Sequence, residues 1–342
     1  MSHFKSSLLR LLLFPGATIP FSFAMKGRAV VFMLHRFYDP DREVEGLDPD
    51  VLRQGLAYLR KHRYELLPLQ ELFTRLAEGR SVDRAVVFTI DDGYLDHAMV
   101  GGPVFAEFDC PVTTFVTSGF LDGRLWFWWD QIEHIFSLTK RHELNIPFGE
   151  GELRFQWDTV NRGKAQAEFT EACKTVPETA KYKAVRRLAE AAEVELPLRP
   201  PTRYLPMSWD QARACEEFGM TFGPHTVTHP ILACASDAQS RQEIAESWKR
   251  LRSEVRRPVA VFCYPNGQPQ DFTPREITIL KDLDFQGAVV GTSGYISPDS
   301  YRRSPDARFR VPRFGYPDSV PRMVQYVSGL ERVKQLLHKE AT

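Results

Sequence analysis

The sequence predicts an α/β protein built on a parallel sheet or barrel. Three observations carry that expectation: short, nearly all-apolar runs, helix-length segments between them, and acidic or histidine-bearing motifs that follow directly after such runs. An apolar run without polar alternation is the pattern of a strand buried on both faces, as parallel strands are.

In chain order, the first predicted strand is Ala29–Leu34 (AVVFML), followed by helices over Pro49–His62 and Leu69–Glu78. Ala85–Ile90 (AVVFTI) is the next strand, Leu95–Phe108 the next helix, and Val112–Val116 (VTTFV) a third strand. Residues 122–205 then break the alternation with an aromatic cluster (Trp126 to Trp129), a charged middle and several prolines, and are expected to be a helical insertion. The pattern resumes with a helix over Ser208–Phe218, a strand at Met220–Phe222, a helix over Asp237–Val255 and a strand at Val259–Tyr264. A helix over Pro274–Leu283, a strand at Gly287–Val290 and a late strand-like run ending in Arg308–Arg313 complete it, with a C-terminal helix over 319–342. Ser208 and Thr273 read as capping residues, the second with proline at the first helical position.

The chain of 342 residues has 43% hydrophobic and 26% charged residues, enough apolar material for one large globular unit. Lysine plus arginine equals aspartate plus glutamate at 44 each, so no overall field favours a nucleic acid, and none is expected as partner. Five cysteines without CxxC spacing argue against a disulfide framework or a thiolate metal site, and lean cytoplasmic. The apolar segment within residues 1–27 is broken by Arg10, Pro15 and Pro20 and lacks a clean signal-cleavage site. The expectation is therefore a soluble, cytoplasmic chain, with membrane-peripheral and periplasmic placements left open.

Two constellations carry the chemistry. Thr89-Ile90-Asp91-Asp92-Gly93 places adjacent carboxylates at the end of a buried strand, where like charges need a cation, a shared proton or solvent. One carboxylate can ligate an ion while its neighbour takes a proton from water. His225-Thr226-Val227-Thr228-His229-Pro230 offers two imidazoles four apart, which could share one face of a helical turn and hold the same ion. Taken separately, a solvent-exposed turn and an unrelated histidine pair explain these motifs as well.

Together the motifs resemble those of the polysaccharide deacetylase family (NodB-homology, carbohydrate esterase 4). The family's T-F-D-D-G is here TIDDG, and its H-[ST]-x-x-H-P is here HTVTHP. The resemblance covers roughly residues 28–120 and 205–315, and implies a distorted (β/α)7 barrel with the insertion set into it. It further implies Asp91 as catalytic base and Asp92, His225 and His229 as ligands of one divalent metal, zinc first, with Co2+, Ni2+ or Mn2+ tolerated. The implied reaction is hydrolysis of the N-acetyl group of an amino sugar in a polysaccharide, oligosaccharide or glycan precursor, as in exopolysaccharide processing. An O-acetyl esterase or other C–N hydrolase of the same fold, or an inactive glycan-binding relative, stays open.

The third family motif, R-x-P-Y, reads Cys263-Tyr264-Pro265-Asn266 here. By resemblance the Asn266 backbone amide serves the oxyanion. The arginine that would orient the base is missing, and Arg313 is the expected replacement from Arg308–Arg313. No histidine follows Asn266 before His338, so the general acid is sought at Leu34-His35-Arg36-Phe37. Such a placement is similar to the circularly permuted poly-N-acetylglucosamine deacetylases, and makes His35 the acid. The aromatic cluster is read as core of the insertion before a sugar-stacking surface. His62, His97, His134 and His142 are expected at the surface, and the oligomeric state is undetermined.

Overall fold

The computed structural model describes residues 9–149, 151–158 and 161–339. Residues 1–8 of the N-terminal apolar segment and 340–342 of the C-terminal stretch lie outside the described residues. Ten strands are present among the described residues: β1 (Val30–Leu34), β2 (Glu65–Leu66), β3 (Ala85–Asp92), β4 (Val112–Val116), β5 (Glu143–Phe148), β6 (Gly151–Gln156), β7 (Met220–Pro224), β8 (Val261–Cys263), β9 (Gly287–Val289) and β10 (Phe314–Gly315).

The main sheet runs β10-β1-β3-β4-β7, with β2 beside β3, and every pairing in it is parallel. β8 and β9 form a separate parallel pair. Single parallel bridges connect Phe222 to Pro258 and Val289 to Val311, so β7 approaches β8 and β9 approaches the segment entering β10.

The apolar runs are explained by burial on both sides. Phe32, Val86, Phe88 and Ile90 pack into one core beneath the Pro49–Lys61 and Gly102–Glu107 helices, while Val31, Val87, Phe115, Val261 and Val289 pack into another. Register decides what happens at the strand ends. Leu34 pairs with Ile90, Asp92 with Val116, and Val116 with Pro224, so β1, β3, β4 and β7 finish at one edge. That edge receives His35, Asp91, Asp92 and His225, which follow or end those strands.

Both expected caps form as capping boxes, Ser208 with Gln211 and Thr273 with Glu276. The helix expected over Leu95–Phe108 is shorter: a π-type turn spans His97–Gly101 and an α-helix Gly102–Glu107. Gly101 is required there, since a Cβ would sit 2.5 Å from the Phe37 ring. Residues 122–205 are not purely helical. Helices Trp128–Leu138, Arg162–Lys174 and Glu178–Ala191 enclose the antiparallel hairpin β5–β6, and together they bury a core of their own around Ile132, Phe136, Ile146, Phe169 and Leu188. From residue 319 the chain forms two helices, Val320–Val327 and Leu330–Lys339, divided at Gly329 with φ 94°.

Candidate active site

Asp91 and Asp92 close β3 with 3% and 6% of their surface exposed. Asp92 has φ 86°, a left-handed conformation that turns the chain at the strand end. The His225–Pro230 stretch is not the helical turn expected. It is a loop with left-handed Thr226 (φ 66°) and His229 (φ 60°), which brings both imidazoles to the same point by another route. His225 Nε2 and His229 Nε2 each lie 3.6 Å from Asp92 Oδ1, and all three ligand atoms fall within 4.8 Å of one another.

Neighbouring groups hold this loop in place. The Thr117 hydroxyl donates to the His225 carbonyl at 3.1 Å, and the Gly119 amide donates to the Val227 carbonyl at 2.9 Å. Glu243, buried in the Asp237–Glu254 helix, accepts from the Val227 and Thr228 amides at 2.8 and 2.9 Å and from the Thr228 hydroxyl at 2.7 Å. The sequence reading missed Glu243. Its one signal was a carboxylate on the inward face of an otherwise amphipathic helix.

His225 Nδ1 lies 2.8 Å from the Cys263 carbonyl. A carbonyl can only accept, so Nδ1 carries the proton and the Nε2 lone pair is free for a metal. Burial lowers the His225 pKa to about 4 and that of His229 well below its ordinary value, so both rings are neutral at pH 7. Burial likewise pushes the Asp92 carboxyl up to about 7, the response of a carboxylate without a countercharge. Two neutral imidazole nitrogens and one carboxylate oxygen fit a divalent metal ion, with coordination positions to spare.

Asp91 has a different partner. Arg313, 1% exposed, donates from Nη1 to Asp91 Oδ1 at 2.7 Å and from Nη2 to Oδ2 at 2.8 Å. Burial alone would raise the Asp91 pKa, but the guanidinium outweighs it and holds the carboxyl below its usual range. Arg313 is fixed in turn by the Val290 carbonyl, the Thr89 hydroxyl and Cys263 Sγ. Arg308 and Arg310, the other candidates in that run, face Phe309 and Phe272 instead. Cys263 also stands 3.5 Å from Asp91 Oδ2, so the residue in the motif-three arginine position borders the same carboxylate.

His35 Nε2 lies 3.9 Å from Asp91 Oδ2, with half of its side chain exposed. Its carbonyl is held by Nε2 of His97. His97 is fully buried, contrary to the surface position expected, because the π-type turn points it inward beneath β1. Asn266, left-handed at φ 56°, lines the pocket beside Gly267, where a Cβ would meet the Gly291 amide at 2.6 Å.

The cavity above these groups measures about 720 Å³ and is also lined by Trp128, Trp129, Glu171, Lys174 and Gln268. The aromatic cluster divides its roles. Trp128 is 3% exposed and joins the core of the inserted unit, as expected for the cluster as a whole. The Trp129 ring stacks on Phe127 at 4.2 Å and meets the His229 ring edge-on at 4.7 Å. Its Nε1 donates to the Tyr94 hydroxyl at 3.1 Å, which donates to buried Asp130 at 2.9 Å. Residues 122–205 thus supply one wall of the pocket.

Residues 178–288 match the polysaccharide deacetylase family, a span that contains the histidine loop and Cys263–Asn266 but not Asp91. Among curated proteins no sequence matches. The fold is similar to that of a deacetylase from Streptococcus pyogenes, PplD, solved in complex with acetate: 17% identity, TM-score 0.54, covering 87% of this chain and 97% of that one. IcaB from Ammonifex degensii gives 18% identity and TM-score 0.54 over 88% of this chain and 97% of its own. A polysaccharide deacetylase from Bacillus cereus gives 14% and 0.53, over 88% and 69%. The family match thus lies across the histidine loop, and that loop converges on Asp92 in a fold that the chain shares with these solved deacetylases.

Proposed function

We propose that this protein is a metal-dependent deacetylase that hydrolyses the N-acetyl group of an amino sugar within a glycan. The observation that carries the proposal is the division of labour between adjacent carboxylates. Asp92 faces both His225 and His229, while Asp91, which also lies near His225, is held by Arg313 in a two-pronged ion pair and has His35 3.9 Å away.

Asp92, His225 and His229 would hold the ion, read as zinc, which when bound supplies polarisation of the acetamide carbonyl and acidifies a water toward pKa ~7. Asp91, kept ionised and oriented by Arg313, accepts the proton of the attacking water. The Asn266 amide, in the pocket lining, donates to the developing oxyanion in this reading. Protonated His35 gives its proton to the departing amine, so that acetate and a free amino sugar leave.

The position of His35 at the end of the first strand, before Asp91 in the chain, supports the poly-N-acetylglucosamine deacetylase branch. The bridges at Phe222–Pro258 and Val289–Val311 support reading β1, β3, β4, β7, β8, β9 and β10 as staves of a distorted (β/α)7 barrel over residues 28–318, with 122–205 inserted. Among the described residues no helix is long and apolar enough to cross a membrane.

Acetate release from N-acetylated chitooligosaccharide tests the proposal, using metal-reconstituted protein beside chelator-treated protein and Asp91→Asn. Activity that requires the metal and Asp91 is expected. Release from O-acetylated sugars alone would assign an esterase instead, and tight glycan binding without turnover of either substrate would assign a binding protein.

A further inference from the structure

Twelve large hydrophobic side chains are exposed among the described residues, and five of them, Leu11, Leu13, Phe14, Ile19 and Phe23, fall within thirteen residues of the N-terminal segment. Their exposures run from 41% to 71%. The C-terminal helix Leu330–Lys339 packs beside the Ile19–Met25 turn and adds exposed Leu336 and Leu337. Scattered single apolar residues are ordinary, but this many in one short segment beside a second exposed pair marks a contact surface.

The segment is held by its opposite side. Leu12, Ala24 and Met25 are buried, and Gly329 approaches so closely that a Cβ there would sit 2.5 Å from the Phe21 carbonyl. Its outward face is therefore presented on a fixed support, stiffened by Pro15 and Pro20. The segment adjoins Val30, Ala85 and Val86, the starts of β1 and β3, and so lies at the end of the sheet opposite the catalytic edge.

Charge selects the partner. Residues 1–28 contain four lysines and arginines (Lys5, Arg10, Lys26 and Arg28) and no aspartate or glutamate, although the whole chain is balanced at 44 each. The remaining residues thus hold 40 basic against 44 acidic side chains. Such a chain approaches an anionic surface with its N-terminal end first. Association with a second copy through the same patch would set Arg10, Lys26 and Arg28 against their own counterparts, which disfavours it.

We propose that residues 11–23 seat the protein on an anionic phospholipid bilayer, with the apolar side chains at the headgroup boundary and Arg10, Lys26 and Arg28 among the phosphates. The eight residues of β3 then carry the catalytic edge about 25 Å away from the contact, facing the aqueous side.

Flotation of the full chain with vesicles of phosphatidylcholine and phosphatidylglycerol, and with phosphatidylcholine alone, tests this. Binding is expected to the anionic vesicles, weakened by salt. It should fall at least tenfold both in Phe14→Ser/Ile19→Ser/Phe23→Ser and in Arg10→Glu/Lys26→Glu, with thermal melts matching wild type in each case. Absence of binding to the anionic vesicles, or undiminished binding by the serine variant, overturns the proposal. So does a dimer in light scattering that the serine variant splits, because the face would then be occupied by a second copy.

Discussion

Replacing Arg313 with methionine removes the only guanidinium hydrogen-bonded to Asp91 among the described residues, with little change of volume. Two hydrogen bonds to the carboxylate are lost, at 2.7 and 2.8 Å, together with contacts to Thr89, Val290 and Cys263. Asp91, at 3% exposure, is left as an uncompensated buried charge. Breaking a buried pair from one side costs roughly 3–5 kcal/mol, a large share of the ~5–15 kcal/mol that holds a typical domain together. A melting temperature lower by roughly 4–7 °C follows for a chain of 342 residues. The wild-type pair depresses the Asp91 pKa, so its stabilising contribution is present above the ordinary carboxylate range and lost as pH falls through the depressed value. In the variant that pKa rises, and the acid limb of the pH profile for kcat/KM moves to higher pH. Lost orientation of the base lowers acetate release by about 10- to 100-fold at neutral pH. Arg313→Lys keeps the charge but not the two-pronged geometry, and should fall between. Because Cys263 borders the same carboxylate, Cys263→Arg combined with Arg313→Ala should recover part of the activity that Arg313→Ala loses. An Arg313→Met enzyme with the wild-type acid limb and less than about a threefold loss of rate would refute the orienting role, because removing a group that orients the base should cost about tenfold or more.

His35→Ala should lower kcat by roughly 10²–10⁴ while the melting temperature holds, measured by acetate release beside thermal denaturation. Glu243→Ala removes the acceptor of the Val227 and Thr228 amides and of the Thr228 hydroxyl. It should weaken metal affinity by about 10- to 100-fold, read by competition with a chelating dye, with unchanged far-ultraviolet circular dichroism. Trp129→Phe keeps the ring against His229 and loses only the bond to Tyr94, so KM should rise less than in Trp129→Ala, with kcat reporting any shift of His229. Burial lowers the His97 pKa to about 4, so the folded protein binds fewer protons than the unfolded chain between pH 6.5 and 4. Stability should be fully present above pH 6.5 and fall by up to roughly 3 kcal/mol as pH drops through that window, a slope that urea titrations of His97→Asn should lack.

The strands that carry the site were legible because their burial on both faces leaves an unbroken apolar signature, and because Asp91 and His225 follow those runs directly. Shorter pieces were not. β2 and β10 have two residues each, too few to show a period, and it is the pairing of β10 with β1 that brings Arg313 to Asp91. A cluster of arginines near the right place was readable; which one reaches the carboxylate depends on register. The β5–β6 hairpin escaped notice because Pro147 interrupts an alternation that Leu144 and Ile146 otherwise mark. His97 was misplaced because a π-type turn, rather than the 3.6-residue period, decides which way it points. The histidine loop reached its expected destination without its expected helix, since left-handed Thr226 and His229 depend on Glu243 and the loop after β4 for support.

The wall bearing Trp129, Glu171 and Lys174 grows from a unit that folds around its own apolar centre, whereas the catalytic floor belongs to the sheet. In the proposed deacetylase, the reactive groups and the wall that would meet the sugar therefore rest on separate foundations, so that exchange of the inserted unit would leave the reactive groups in register.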